Sequence, residues 1–98
     1  MKEQDIQRKI IKTLESAGAY VVKVVSATKS GVPDILACYK GTFIGIEVKT
    51  PKTSTNVSKL QAYNLDKIRD CGGLAIVAWD VSHVEVLIER IDNVRGSN

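Results

Sequence analysis

Gly31-Val32-Pro33-Asp34-Ile35-Leu36-Ala37-Cys38-Tyr39-Lys40-Gly41-Thr42-Phe43-Ile44-Gly45-Ile46-Glu47-Val48-Lys49 contains two strands and the turn between them, and the rest of the chain is arranged around it. Asp34 to Tyr39 is apolar and short enough for a strand; Lys40-Gly41-Thr42 has the length and glycine of a hairpin connection; Phe43 to Lys49 supplies the returning strand. The two are therefore expected to pair antiparallel. Alternate side chains of a strand share a face, so Glu47 and Lys49 project together, about 6.5 to 7 Å apart at the backbone, while Ile44, Ile46 and Val48 take the opposite, core face. Gly45 precedes the charged pair on its side and is expected to leave space there. Pro33 fixes the loop that delivers Asp34, and pairing centred on the hairpin puts Asp34 near Glu47 or Lys49.

Outward from this hairpin, Ile6, Ile10, Leu14 and Ala17 recur at helical spacing, and Gly18 stands where a C-terminal cap belongs, predicting a first helix from Glu3 to Ala17. Tyr20 to Val25 reads as a strand and Ser26 to Pro33 as a loop. Thr50 to Val57, with Pro51, Lys52 and the hydroxyls of Thr50, Thr53, Ser54 and Thr55, reads as an exposed mobile loop. Ser58 with Gln61 fits a capping box for a second helix, its buried arc formed by Leu60, Leu65, Ile68 and Cys71, and Gly72-Gly73 ends it. Leu74 to Trp79 is a fourth strand. Ser82 with Glu85 repeats the capping-box spacing and makes Val84 to Ile91 a short helix rather than a fifth strand; Arg95 to Asn98 is expected to fray. The order αβββαβα, without repeat or linker, predicts a single α/β domain over residues 1–98, a mixed sheet flanked by helices.

A chain of 98 residues has no room for a second core, so any catalytic site must be compact or shared between subunits. No apolar stretch approaches the roughly 20 residues of a membrane span, and the polar start Met1-Lys2-Glu3-Gln4-Asp5 lacks a secretory pattern, so a cytoplasmic protein is expected. Cys38 and Cys71 are expected to be reduced, buried thiols. With His83 as the single histidine the usual Cys₂His₂ zinc set cannot be assembled, and that histidine lacks a Ser/Asp context for a triad. The formal charge is +3, but ten Lys/Arg stand against five Asp/Glu up to Leu60 and four against six beyond it. That imbalance suits a polyanion approaching the first part of the chain; a solvated lysine-rich surface would look the same.

Two carboxylates converging with a lysine form a kit for phosphodiester hydrolysis. Hard oxygen ligands hold Mg²⁺, which neutralises phosphate charge and activates water, while the lysine orients or deprotonates that water. An exposed salt-bridging sheet face would give the same residues, at about 1 kcal/mol or less. Three coincidences favour the site: Pro33-Asp34, Glu47-Val48-Lys49, and polar positions on both helices. Glu3 falls on the stripe of Ile10 and Leu14 with Gln7 at its edge, so either the first turn overhangs the core and is wet, or one of the two closes the site from above. Gln61 caps its helix and also projects toward the sheet.

Gly31-Val32-Pro33-Asp34-Ile35, Ile46-Glu47-Val48-Lys49-Thr50 and Ser58-Lys59-Leu60-Gln61 resemble, in this order, the virus-type replication-repair nuclease (VRR-NUC) domains of the PD-(D/E)XK superfamily. The resemblance runs from about Glu3 to Trp79. It implies a restriction-endonuclease-like fold and a Mg²⁺- or Mn²⁺-dependent DNA endonuclease. Asp34, Glu47 and the Val48 carbonyl would be metal ligands, Lys49 the catalytic lysine, and Gln61 a further catalytic residue. Stand-alone members look like phage proteins, which would place this one in the host-cell cytoplasm. The similar archaeal junction resolvases act as homodimers and use an acidic first-helix residue, whose position here corresponds to Gln7 more closely than to Glu3. DNA contacts are expected from Lys29, Ser30, Lys52 and Lys59, and the expected substrate is a four-way junction or other branched DNA. The competing expectations are a sequence-specific restriction-type nuclease, for which so short a chain leaves little surface to read base edges, and a non-catalytic nucleic-acid-binding module. A dimer interface is expected on the second helix (Tyr63, Asp66, Lys67) or the C-terminal segment.

Overall fold

The computed structural model describes residues 1–53 and 55–96. The elements run α1 (Glu3–Ala17), β1 (Tyr20–Lys23), β2 (Ile35–Tyr39), β3 (Thr42–Val48), a 3₁₀ turn (Pro51–Thr53), α2 (Lys59–Asp70), β4 (Leu74–Ala78), α3 (Val81–Ile91) and a π-helical turn (Asp92–Gly96). This is the expected αβββαβα order. The four strands form one sheet in the order β1-β2-β3-β4, antiparallel except for the parallel β3–β4 pair. β3 is thus a central strand, joined to β2 by a two-residue turn in which Lys40 (φ 48°) and Gly41 (φ 77°) both take left-handed angles. Such a turn has the twist that matches paired strands.

The sheet separates two layers. On one face Ile6, Ile10 and Leu14 of α1 and Val84, Leu87 and Ile91 of α3 pack against Ile35, Ala37, Ile44, Ile46 and Val48, forming the main core. On the other face lies α2, whose Leu65 is buried. A Cβ on Gly45 would sit 2.6 Å from Ile68 Cδ1 and 3.3 Å from Pro33 Cγ. Contrary to the expectation from the sequence, Gly45 does not leave a space; its missing side chain lets α2 and Pro33 close onto β3. Among the described residues no helix is long and apolar enough to cross a membrane.

Other departures have local causes. Leu60 is half exposed and Cys71 exposed, so the buried arc of α2 narrows to Leu65 and the partly buried Ile68. Both cysteines lie at the surface, Cys38 because α2 does not extend over β2. Ala17 is exposed at the end of α1, beside the Gly18 cap (φ 100°). α3 starts at Val81 and is capped by Asp80, whose carboxylate accepts from Ser82 N at 2.9 Å. An aspartate two residues earlier thus serves in place of the Ser82/Glu85 box. β1 stops at Lys23, so Val24 and Val25 lie outside it, although Val24 N still donates to Asp34 O. The C-terminal turn is held rather than frayed through Arg95: Asp92 accepts from Tyr39 Oη (2.6 Å) and Lys40 Nζ (2.7 Å), and Arg95 donates to Lys40 O. Residues 97–98 lie outside the described residues.

Candidate active site

The register pairs Ile35 with Ile46, so Asp34, one residue before β2, comes opposite Glu47. Asp34 Oδ2 accepts from Val48 N at 2.8 Å, which fixes its carboxylate across the end of the hairpin. Glu47 is 3% exposed, one of two buried polar residues among those described, the other being Gln7. Its Oε2 accepts from Gln61 Nε2 at 3.2 Å and lies 3.6 Å from Lys49 Nζ. Four side chains from the loop before β2, from β3, from the residue just beyond it and from α2 thus meet at one end of the sheet.

Burial pushes the Glu47 carboxyl up to about 7, and the neighbouring Asp34 charge adds to it; Lys49 opposes both. A buried carboxyl next to a second one is short of positive charge, because one ammonium cannot neutralise two carboxylates. A cation between them would supply it. Among the described residues no three His, Cys, Asp or Glu side chains are grouped to hold a metal ion. The donor set instead suits a hard divalent cation that keeps several waters and takes two carboxylates and a backbone carbonyl from the protein.

Gln61 does two things at once. Its Oε1 accepts from Ser58 N (3.0 Å) while its backbone N–H donates to Ser58 Oγ (3.1 Å), completing the capping box, and its amide nitrogen turns to Glu47. The cap thereby orients the amide that meets the carboxylate. On α1, Gln7 is buried with its Oε1 unpartnered among the described residues. Glu3 is half-buried, and its Oε2 lies 3.5 Å from Thr53 Oγ1.

The sequence missed this Thr53. Its hydroxyl receives the Thr50 N–H at 3.0 Å and meets Thr50 Oγ1 at 2.9 Å, so the first part of the expected loop, Thr50 to Thr53, is a bonded turn in contact with α1; Ser54 lies outside the described residues. The signal was present as a Thr-x-x-Thr spacing around Pro51, which favours local hydroxyl-to-backbone bonds. Of the expected DNA contacts, Lys29, Ser30, Lys52 and Lys59 are all exposed. Asn64 Nδ2 donates to Ser30 O at 3.1 Å, and Gly31 packs against Leu60 where a Cβ would fall 2.8 Å from backbone, so the Lys29–Gly31 loop is seated on α2.

The model of the archaeal Holliday junction resolvase (hjc) family matches residues 1–98. A solved structure described as a VRR_NUC domain is similar with a TM-score of 0.74 at 27% identity, covering 89% of this chain and 94% of that one. A second, of Archaeoglobus fulgidus Hjc, a Holliday junction resolvase from an archaeal hyperthermophile, shares the fold with a TM-score of 0.52 at 24% identity, covering 76% of this chain and 65% of that one. No curated protein matches. The chain therefore belongs to the archaeal Holliday junction resolvase family and is a metal-dependent, structure-selective nuclease.

Proposed function

We propose that this chain cuts four-way DNA junctions, with Mg²⁺ or Mn²⁺ as its metal and Asp34, Glu47, Lys49 and Gln61 as its active site. The observation that carries the residue assignment is the meeting of Asp34, Glu47, Lys49 and Gln61 at the end of β3. Asp34, Glu47 and the Val48 carbonyl would hold the ion; when bound, it supplies charge for the phosphate and a more acidic water. Val48 N–H holds Asp34 in one orientation. Gln61 and Lys49 hold Glu47 Oε2, which fixes the carboxylate's rotation. Lys49, on the same strand face and partly exposed, orients the attacking water and takes up or returns its proton. On α1, Gln7 rather than Glu3 serves the site: its buried Oε1 needs a donor, which a water held there would provide, whereas Glu3 anchors the Thr50–Thr53 turn.

Lys29, Ser30, Lys52 and Lys59 are the phosphate contacts of this reading. A homodimer places two such sites on one junction, whose opposed strands need paired cuts, and two-fold dimers are the commonest oligomers. Exposed Tyr63 on α2 and Val94 in the C-terminal turn are available for the interface. The test is cleavage of duplex, single strand, flap and four-way junction in Mg²⁺, in Mn²⁺ and in chelator, with light scattering of the same protein. Metal-dependent, paired cuts in the junction by a dimer are expected. A monomer that cuts plain duplex equally well would overturn the junction reading and leave the nuclease standing.

A further inference from the structure

α2 covers only the β3–β4 half of its sheet face. Beyond it lies a cross-strand row in register, Tyr20 opposite Cys38 and Cys38 opposite Phe43. Tyr20 is 74% exposed, Phe43 47% exposed and Cys38 exposed. Paired residues of adjacent strands point to the same face, and strands lie about 4.8 Å apart, so two aromatic side chains stand about 10 Å apart with a small thiol between them. Where Phe43 meets α2, a cavity of about 340 Å³ is lined by Lys29, Phe43, Asn64, Lys67, Ile68 and Cys71. Its two lysines are exposed, no carboxylate lines it, and Asp66 on the neighbouring turn is paired with Arg69 at 2.8 Å. Asn64 holds the Lys29–Ser30 loop against the rim.

This cavity shares a sheet face with the active site, and Ile68 of α2 and Pro33, closed over Gly45, stand between the two. Phe43, Gly45 and Glu47 alternate on one face of β3, and four residues of strand span about 13 Å. That distance is about four nucleotides at the stacked spacing of 3.4 Å, and fewer in an unstacked strand. A half-exposed aromatic ring beside two cations has the chemistry of a base-stacking platform with phosphate contacts on either side. A second copy of the chain is a poorer occupant, because a two-fold contact through this patch would bring the same lysines together from both copies.

We propose that this open half of the sheet face binds an unpaired nucleobase of the DNA, stacked on Phe43, with Lys29 and Lys67 on the flanking phosphates and Tyr20 as the next platform. The site rests on the nuclease reading and deepens it: the enzyme distinguishes branched or opened DNA from duplex by holding a base that duplex keeps stacked. It lies a few nucleotides from the scissile phosphate.

The experiment uses metal-free buffer and oligonucleotides carrying one unpaired 5-iodouracil. Photo-crosslinking should attach to the peptide containing Phe43 or to that containing Tyr20. Phe43→Ala should weaken binding of DNA with unpaired bases roughly 5- to 150-fold, the range for loss of one base–aromatic stack, and leave blunt-duplex binding nearly unchanged. Phe43→Trp should restore the affinity, whereas Phe43→Ile, which keeps bulk and strand preference, should not. In a Cys38→Ser background, an unpaired oligonucleotide should slow alkylation of Cys71. Wild-type affinity in both the Ala and Ile variants, with wild-type cleavage, would overturn the pocket and leave the nuclease intact. Conversion of a dimer to a monomer by Phe43→Ala, without crosslinking at Phe43, would assign the face to a second copy. Failure of the wild-type chain to bind or cut branched DNA would remove the nuclease reading itself.

Discussion

The two faces of β3 differ in what their side chains are for. Ile44, Ile46 and Val48 are fully buried between α1, α3 and the sheet, and each is satisfied by packing alone. Glu47 is almost as deeply buried on the other face, yet it is held by polar contacts from Gln61 and Lys49 and opposed by Asp34. Burial on the first face contributes stability; on the second it sets the charge state of a carboxyl group. One strand thus carries a scaffold face and the face of the proposed active site, separated only by its own pleat, so substitutions one residue apart should fail in different assays.

The sharpest separation is in catalysis. Asp34→Ala or Glu47→Ala should lower metal-dependent junction cleavage by about 10³-fold or more, because loss of a metal ligand removes the charge and water that drive the reaction. The fold should persist, since relieving the repulsion between the carboxyls compensates for the lost contacts. Single-turnover cleavage with circular dichroism checks both. Near-wild-type rates in either variant would end the site assignment.

Ile46→Ala tests the other face. Ile46 lies fully buried in the middle of the central strand, and its truncation should cost about 2–5 kcal/mol in denaturant unfolding. At temperatures where the variant remains folded, its cleavage rate per folded molecule should stay within a few fold of wild type. A large rate loss in a fully folded Ile46 variant would mean that the two faces are not independent.

How much of this could be read from the chain depends on the range of the interactions involved. The hairpin, the partition of β3 and the encounter of Asp34 with Glu47 were legible because strand alternation and a glycine turn are local rules. The Ser58–Gln61 cap was legible for the same reason. The consequence of Gly45 was not: whether a missing side chain leaves a hole depends on Ile68, which sits over twenty residues away and fills it. The exposure of Cys38 likewise depends on where α2 ends across the sheet, and the Glu3–Thr53 contact joins segments fifty residues apart. Asp80 displaced Ser82 as the cap because an Asp and a Ser two residues apart both fit, and the sequence does not rank them.

A smaller effect reads the charge state itself. Glu47 ionises near 4.5 unfolded and about 7 folded, so between these values the native state holds more protons than the unfolded chain. Its contribution to stability is fully present below about pH 4.5 and is lost as pH rises through 7. Metal-free Glu47→Gln, neutral throughout, should lack this decline and be roughly 1–3 kcal/mol more stable than wild type at pH 8. Divalent metal should raise the melting temperature of the wild type and not of the variant. A metal-free wild type whose stability did not fall across this window, relative to the variant, would show that Glu47 is ionised throughout.

The smallest expected effect separates the two roles of Gln61. Gln61→Glu keeps an acceptor for Ser58 N–H, so the capping box survives and thermal stability at pH 5 should change by less than about 0.5 kcal/mol. The donor to Glu47 Oε2 is lost, and a third carboxylate is brought against a group already short of positive charge. Glu47 then loses the bond that fixes its rotation, and cleavage should fall by about tenfold while metal is held at least as tightly, since the added charge attracts the cation. Gln61→Ala complements it: that variant loses the cap as well, so both melting temperature and rate should drop. If Gln61→Glu cut at the wild-type rate with wild-type melting, Gln61 would be a helix cap only, and the active site would reduce to Asp34, Glu47 and Lys49.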